Sequence, residues 1–174
     1  MQEYISASVA NNNNPPVIMK PILKAGFIAG VLDITAAIVT YMIMAPGKSP
    51  INILNYIASA VFGKETAYSG GWTMPVLGLI FHFMIAFIWA ILFYLLYPYF
   101  NKVVKNKWLA GILYGILVWI IMNRIVVPLS NTPKNPFRLS SAIIGVLTLI
   151  IFLGIPISLI TDHYYKRLRK ENNK

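Results

Sequence analysis

Residues 75–97, PVLGLIFHFMIAFIWAILFYLLY, decide the fold, because no aspartate, glutamate, lysine or arginine interrupts them and the imidazole of His82 is their strongest polar group. A helix needs about 20 apolar residues to cross a hydrocarbon layer about 30 Å thick, and this run supplies them. Residues of about 22–45, 108–129 and 139–161 do the same. The first of these carries Asp33 at its middle and the second carries Arg124 near its end. Four such runs in 174 residues predict an all-α fold, a four-helix transmembrane bundle, and leave no room for a soluble enzyme domain.

The totals agree. Hydrophobic residues make up 57% and charged residues 11% of the chain, against about 25% charged in ordinary soluble domains. The absence of cysteine excludes disulfides, thiolate metal sites and cysteine nucleophiles. The net charge of +10 is explained by topology rather than by nucleic acid. Lys20, Lys24, Lys102, Lys105, Lys107, Lys166, Arg167, Arg169, Lys170 and Lys174 fall on one side of the spans, and only Lys48, Lys64, Lys134 and Arg138 on the other. The positive-inside bias therefore predicts cytoplasmic termini, with Tyr97, Tyr99, Trp108, Tyr164 and Tyr165 at the inner boundary and Trp72 at the outer one.

Three regions follow from this reading. Residues 1–20, with the run Asn11-Asn12-Asn13-Asn14-Pro15-Pro16, read as a flexible cytoplasmic leader rather than a signal peptide. Residues 21–163 form the membrane domain, and 164–174 a basic cytoplasmic tail that rests on lipid head groups. In the first outer loop, Ser49 as N-cap, Pro50 at the first helical position and Gly63 as the stop predict a short helix over about 50–62. Asn52, Asn55 and Ser59 form a narrow polar stripe on it while apolar residues cover the rest, so this amphipathic helix should lie on or dip into the outer interface.

Small residues mark the helix-packing faces: Gly26 and Gly30 in the first span, Gly78 in the second, Gly111 and Gly115 in the third, Gly145 in the fourth. Ala25–Gly30 reads AGFIAG and Ala110–Gly115 reads AGILYG, while Val76-Leu77-Gly78 parallels Ile143-Ile144-Gly145. Two hairpins related by duplication would give this pattern, and so would the common use of small residues to bring membrane helices close.

The candidate intramembrane site consists of Asp33, His82, Asn123 and Arg124. Asp33 lies roughly 16 Å from either end of its span, too deep for a short side chain to reach the surface. His82 and Asn123 lie roughly 11 and 8 Å from the outer end of theirs. A ladder of Asn123, His82 and Asp33 would suit a proton relay or a sensor, since histidine changes charge near physiological pH. The static alternative is that His82 and Asn123 clamp helix backbones. Arg124 lies on the far side of its helix from Gly115 and reads as an interface anchor.

No catalytic set is complete: Ser69, Ser130 and Ser140 have only His82 as a base near their level. His163 lies at the opposite end from His82, so the chain cannot clamp a haem, and no cofactor or metal is expected. Non-enzymatic transport or sensing is thus the first expectation and an assembly subunit of a membrane complex the second. The expected partners are the lipid bilayer and either a homo-oligomer or a membrane subunit.

The chain resembles small tetraspan inner-membrane proteins of bacteria, and distantly the YagU-like family. The likeness lies in Ala25–Gly30 opening the first span, in the second span around His82, in Ala110-Gly111 and Val127-Pro128-Leu129 bounding the third, and in Thr132-Pro133 after it. It implies a bacterial tetraspan fold in the inner membrane. The last span lacks the acidic and histidine residues of YagU-like members, so a role in acid tolerance does not carry over.

Overall fold

The computed structural model describes residues 19–134 and 136–172, and every regular element among them is helical. Helix α1 covers Met19–Met44, α2 Ile51–Phe62, α3 Lys64–Ser69 and α4 Thr73–Val103. Helix α5 runs over Lys107–Leu129 and contains a π turn at Met122–Val126. Helix α6 begins with Leu139–Leu149, passes a π turn at Ile150–Gly154 and continues as Ile155–Asn172. Helices α1, α4, α5 and α6 are each long and apolar enough to cross a membrane, so the chain is an all-α four-helix transmembrane bundle. The α4–α5 loop, the N-terminal end of α1 and the C-terminal end of α6 form its basic end; α2, α3 and the α5–α6 loop form the α2 end. The leader expected at residues 1–20 lies outside the described residues except for Met19 and Lys20, which already belong to α1.

Helix boundaries follow from local chemistry. Pro21 and Pro75 stand in first turns, where a missing N–H costs nothing. The Asn106 side chain accepts from the Trp108 amide at 2.9 Å and caps α5. Gly63 ends α2 with φ 78°, a conformation open to glycine, while its N–H bonds the Ser59 carbonyl at 2.9 Å. Helix α2 starts one residue later than expected. Pro50 occupies the cap position and Ser49 supplies its carbonyl to the Asn52 amide at 3.1 Å instead of a side-chain cap. The residues expected to form a tail continue α6, helped by the Asp162–Lys166 pair one turn apart at 2.8 Å.

Three prolines inside spans shape the helices. Pro128 has no N–H for the Arg124 carbonyl and its ring crowds that turn, so the turn widens and the Val127 N–H bonds the Met122 carbonyl. Pro156 does the same in α6, where the Ile155 N–H reaches Ile150. In α4, Pro98 withholds a bond from the Tyr94 carbonyl, and the Tyr165 hydroxyl of α6 donates to that oxygen at 3.2 Å.

Helix α1 packs between α4 and α6, while α5 packs mainly on α6 and α2 lies on α4. Glycines permit the close approaches. Phe87 and Phe83 of α4 press on Gly26 and Gly30, the Leu54 backbone of α2 sits on Gly78, and Gly111 and Gly115 meet the α6 backbone at Gly154–Ile155 and Ile150. Gly145 faces the Trp119 indole. The core joins all four spans in the basic half: Ala25 and Ala29, Trp89, Phe93 and Tyr97, Tyr114 and Val118, Leu153 and Ile157. Phe93 and Tyr114, both fully buried, lie with ring centroids 4.6 Å apart. Towards the α2 end, residues 119–129 of α5 and 139–152 of α6 include no buried residue.

Candidate functional site

Gly30 allows α4 to come close enough for His82 to reach across to α1. The His82 Nε2 donates to the Gly30 carbonyl at 2.9 Å, which places a proton on Nε2. Phe83 packs edge-on to the imidazole, with centroids 5.6 Å apart. Asp33, half-buried, lies one turn beyond Gly30 towards the α2 end, which makes its carboxyl group a neighbour of the His82 imidazole without a hydrogen bond or ion pair between them among the described residues. The structure thus brings Asp33 and His82 together at the α1–α4 interface.

It does not bring Asn123 to them. The Asn123 amide donates to the Trp119 carbonyl of its own helix at 3.1 Å and the residue is exposed on α5. Similar depth placed it beside His82 in the expected ladder, but in this half α5 leans on α6 rather than α4. Arg124 is also exposed, and its guanidinium lies 4.9 Å from the Phe137 ring centre and 6.0 Å from that of Trp119. This is an aromatic anchoring contact, not a pair with Asp33.

Helix α2 lies over the same end of α4 as His82, with its polar stripe turned inward. Ala58 and Ser59 are buried, whereas Val61 and Phe62 are exposed. The reason lies at Gly78: the Leu54 backbone seats there, one helical turn from His82, which swings Asn52, Asn55 and Ser59 towards the bundle. Asn52 donates to the Tyr41 hydroxyl of α1 at 3.2 Å, and the Ser59 hydroxyl donates to the Tyr56 carbonyl at 2.6 Å. Asn131, after α5, bonds the Ala60 and Val61 carbonyls at 3.1 and 3.2 Å, so α2 is tied at both ends. Tyr68 of α3 reaches the Asn52 carbonyl at 3.5 Å; burial, then the nearby Tyr41 and Tyr56, push its hydroxyl above the ordinary range and keep it neutral. The Asn55 Oδ1 is buried and has no partner.

The basic end holds a polar group not singled out from the sequence. Asp162 is buried, accepts from the Tyr97 hydroxyl at 2.6 Å and pairs with the exposed Lys166. Ser158, also buried, donates to the Lys107 carbonyl at 2.7 Å. The signal was present: Gly154, Ile157, Ser158, Thr161 and Asp162 recur at three- and four-residue spacing, one continuous buried stripe that runs past the apolar span.

Two open clefts lie on helix surfaces. One follows α4 along Leu79, Ile80, Phe83, Met84, Phe87 and Ile88; the other follows α6 along His163, Lys166, Arg167 and Lys170. Neither is lined by Asp33 or His82. No group of three or more histidine, aspartate or glutamate side chains able to hold a metal occurs among the described residues. Comparison of the chain with protein-family models, curated proteins and solved structures finds no match.

Proposed function

We propose that this chain is a multi-pass protein of a bacterial inner membrane, its basic end cytoplasmic, in which the Asp33–His82 pair performs proton-linked sensing or small-solute transport. The observation that carries the reading is the His82 imidazole held on the Gly30 carbonyl with a carboxyl group beside it, inside a span. Ionisable groups at that depth are expensive and are used where protons or solutes are handled. The aromatic core around Phe93 and Tyr114 closes the basic half, which favours sensing, or one step of a transport cycle, over an open path. The asymmetry of basic residues supports the orientation.

The test is infrared difference spectroscopy of the protein in lipid nanodiscs between about pH 5 and 8, where histidine titrates. Wild type should show a carboxyl and imidazole change that Asp33→Asn removes while the helical signal and monodispersity persist. Identical spectra from wild type and Asp33→Asn would refute the reading.

A second reading, an assembly subunit of a membrane complex, is favoured by the α2-end halves of α5 and α6, which bury nothing and present Asn123 outward. Native mass spectrometry after mild extraction decides it: a stoichiometric second polypeptide supports an assembly subunit.

A further inference from the structure

The last turns of α6 gather basic side chains on one face. His163, Lys166, Arg167 and Lys170 follow one another at three- and four-residue spacing and line one open cleft over roughly 10 Å of helix. All four are exposed. The opposite face, with Ile157, Ser158, Thr161 and Asp162, is buried, so the cleft looks away from the bundle. A run of charge on a helix is commonly a solvated face, but two features set this one apart. Lys166 is anchored: the buried Asp162 carboxylate pairs with it at 2.8 Å and accepts from the Tyr97 hydroxyl of α4 at 2.6 Å, which presents the ammonium group beside the cleft. The same face also continues into the span as Leu159 and Pro156, four and seven residues before His163, both apolar and half-buried. Cations above an apolar stripe match the outline of a phospholipid, phosphate over acyl chain. The depth agrees. Ser158 donates to the Lys107 carbonyl at 2.7 Å, which sets the first turn of α5, with exposed Trp108, against α6 just below the cleft; tryptophan and tyrosine mark the head-group level of a bilayer.

We propose that this face of α6 is a saturable site for one anionic phospholipid, its phosphate held by Lys166, Arg167 and Lys170 with His163 as a further N–H donor, and one acyl chain laid along Leu159 and Pro156. Arginine and lysine are the side chains suited to phosphate, the first as a planar fork and the second as a point charge. A free phosphate would leave the apolar stripe unused, and a zwitterionic head group would set its own cation against the cleft. The site is separate from Asp33–His82 and does not depend on the role given to that pair. It replaces diffuse attraction of a basic tail to the leaflet by one bound lipid in a fixed place.

The test is native mass spectrometry of the full chain in mild detergent, titrated with phosphatidylglycerol, cardiolipin or phosphatidylcholine. Wild type should fill one position with an anionic phospholipid before any weaker adduct appears, and should bind phosphatidylcholine less tightly. A basic residue near an anionic head group contributes roughly fivefold in affinity. Arg167→Gln combined with Lys170→Gln should therefore weaken the first binding step roughly 25-fold. Lys102→Gln combined with Lys105→Gln is the charge-matched control: both lysines are exposed at the same end of the bundle but outside the cleft, and their loss should change the first step by less than roughly twofold. Glycerol 3-phosphate, which carries the phosphate without the chains, tests the occupant on wild type alone and should displace the bound lipid only at far higher concentration.

Equal weakening by the two double variants would show diffuse attraction to the basic end and overturn the proposal. Adducts that accumulate without a first saturating step, or equal affinity for phosphatidylcholine, would overturn it as well. Displacement by glycerol 3-phosphate at concentrations matching the lipid would assign the cleft to a free phosphate compound instead.

Discussion

Replacing Tyr165 with phenylalanine tests whether the α6 hydroxyl compensates for the proline in α4. The variant keeps the ring, whose centroid lies 4.8 Å from that of Tyr97 and 5.1 Å from that of Tyr94, and removes the hydroxyl that donates to the Tyr94 carbonyl at 3.2 Å. Hydrogen bonds between membrane helices average about 0.6 kcal/mol and reach about 1.7; leaving a buried acceptor bare costs about 1–3 kcal/mol. Because Pro98 cannot supply the helical bond, the loss should fall between these ranges, at about 1 kcal/mol, a roughly fivefold drop in the folding equilibrium. In a Pro98→Ala background residue 98 regains its N–H and can satisfy Tyr94. Tyr165→Phe should then be nearly silent, giving a coupling energy of about 1 kcal/mol. Reversible unfolding of the four proteins in mixed micelles, followed by helical circular dichroism, measures the cycle. Costs that agree in the two backgrounds within about 0.3–0.5 kcal/mol would refute the compensation.

Two other substitutions probe the packing. Gly154→Ala drives a methyl group onto the Gly111 backbone, which cannot move aside as a side chain can, and should cost about 1–3 kcal/mol; Gly145→Ala meets only the Trp119 indole and should cost less in the same unfolding assay. Lys166→Ala removes the exposed partner of Asp162, its side chain 63% accessible, and should change stability by less than about 1 kcal/mol. Tyr97→Phe, which strips the buried donor from that carboxylate, should cost more than Lys166→Ala.

The sequence revealed the parts that depend on solvent preference and concealed those that depend on neighbours. Four apolar runs are visible because hydrocarbon tolerates nothing else at such length, and α4, expected over about 75–97, spans Thr73–Val103. Gly63 was readable as a stop because few other residues adopt its φ. The stripe of Asn52, Asn55 and Ser59 was readable too, but its direction was not. Periodicity says that a helix has two faces, and only the seat at Gly78 decides which faces the protein. Asn123 and His82 matched in depth, yet depth names no neighbour. Asp162 escaped notice because hydropathy ends a span where charge begins, whereas the buried stripe of α6 continues for another turn.

The duplicated pattern provides its own control for the polar pair. Aligning Gly26 and Gly30 with Gly111 and Gly115 sets Asp33 opposite Val118, and aligning Gly78 with Gly145 sets His82 opposite Leu149. In the second hairpin Val118 belongs to the core and Leu149 packs against it. The hairpin geometry therefore closes with two apolar residues, and Asp33 and His82 are not needed to fill space. Polar groups inside a bundle contribute little to stability beyond the bonds they make, and well-packed apolar residues of similar size commonly replace them without loss. The double variant Asp33→Val with His82→Leu should accordingly fold at least as stably as wild type in the micelle assay and lose the infrared response between about pH 5 and 8. Each single variant should be the less stable, because it leaves one polar group facing the apolar replacement of the other. A double variant that fails to fold, or folds more weakly than both singles, would instead assign the pair to holding α1 against α4.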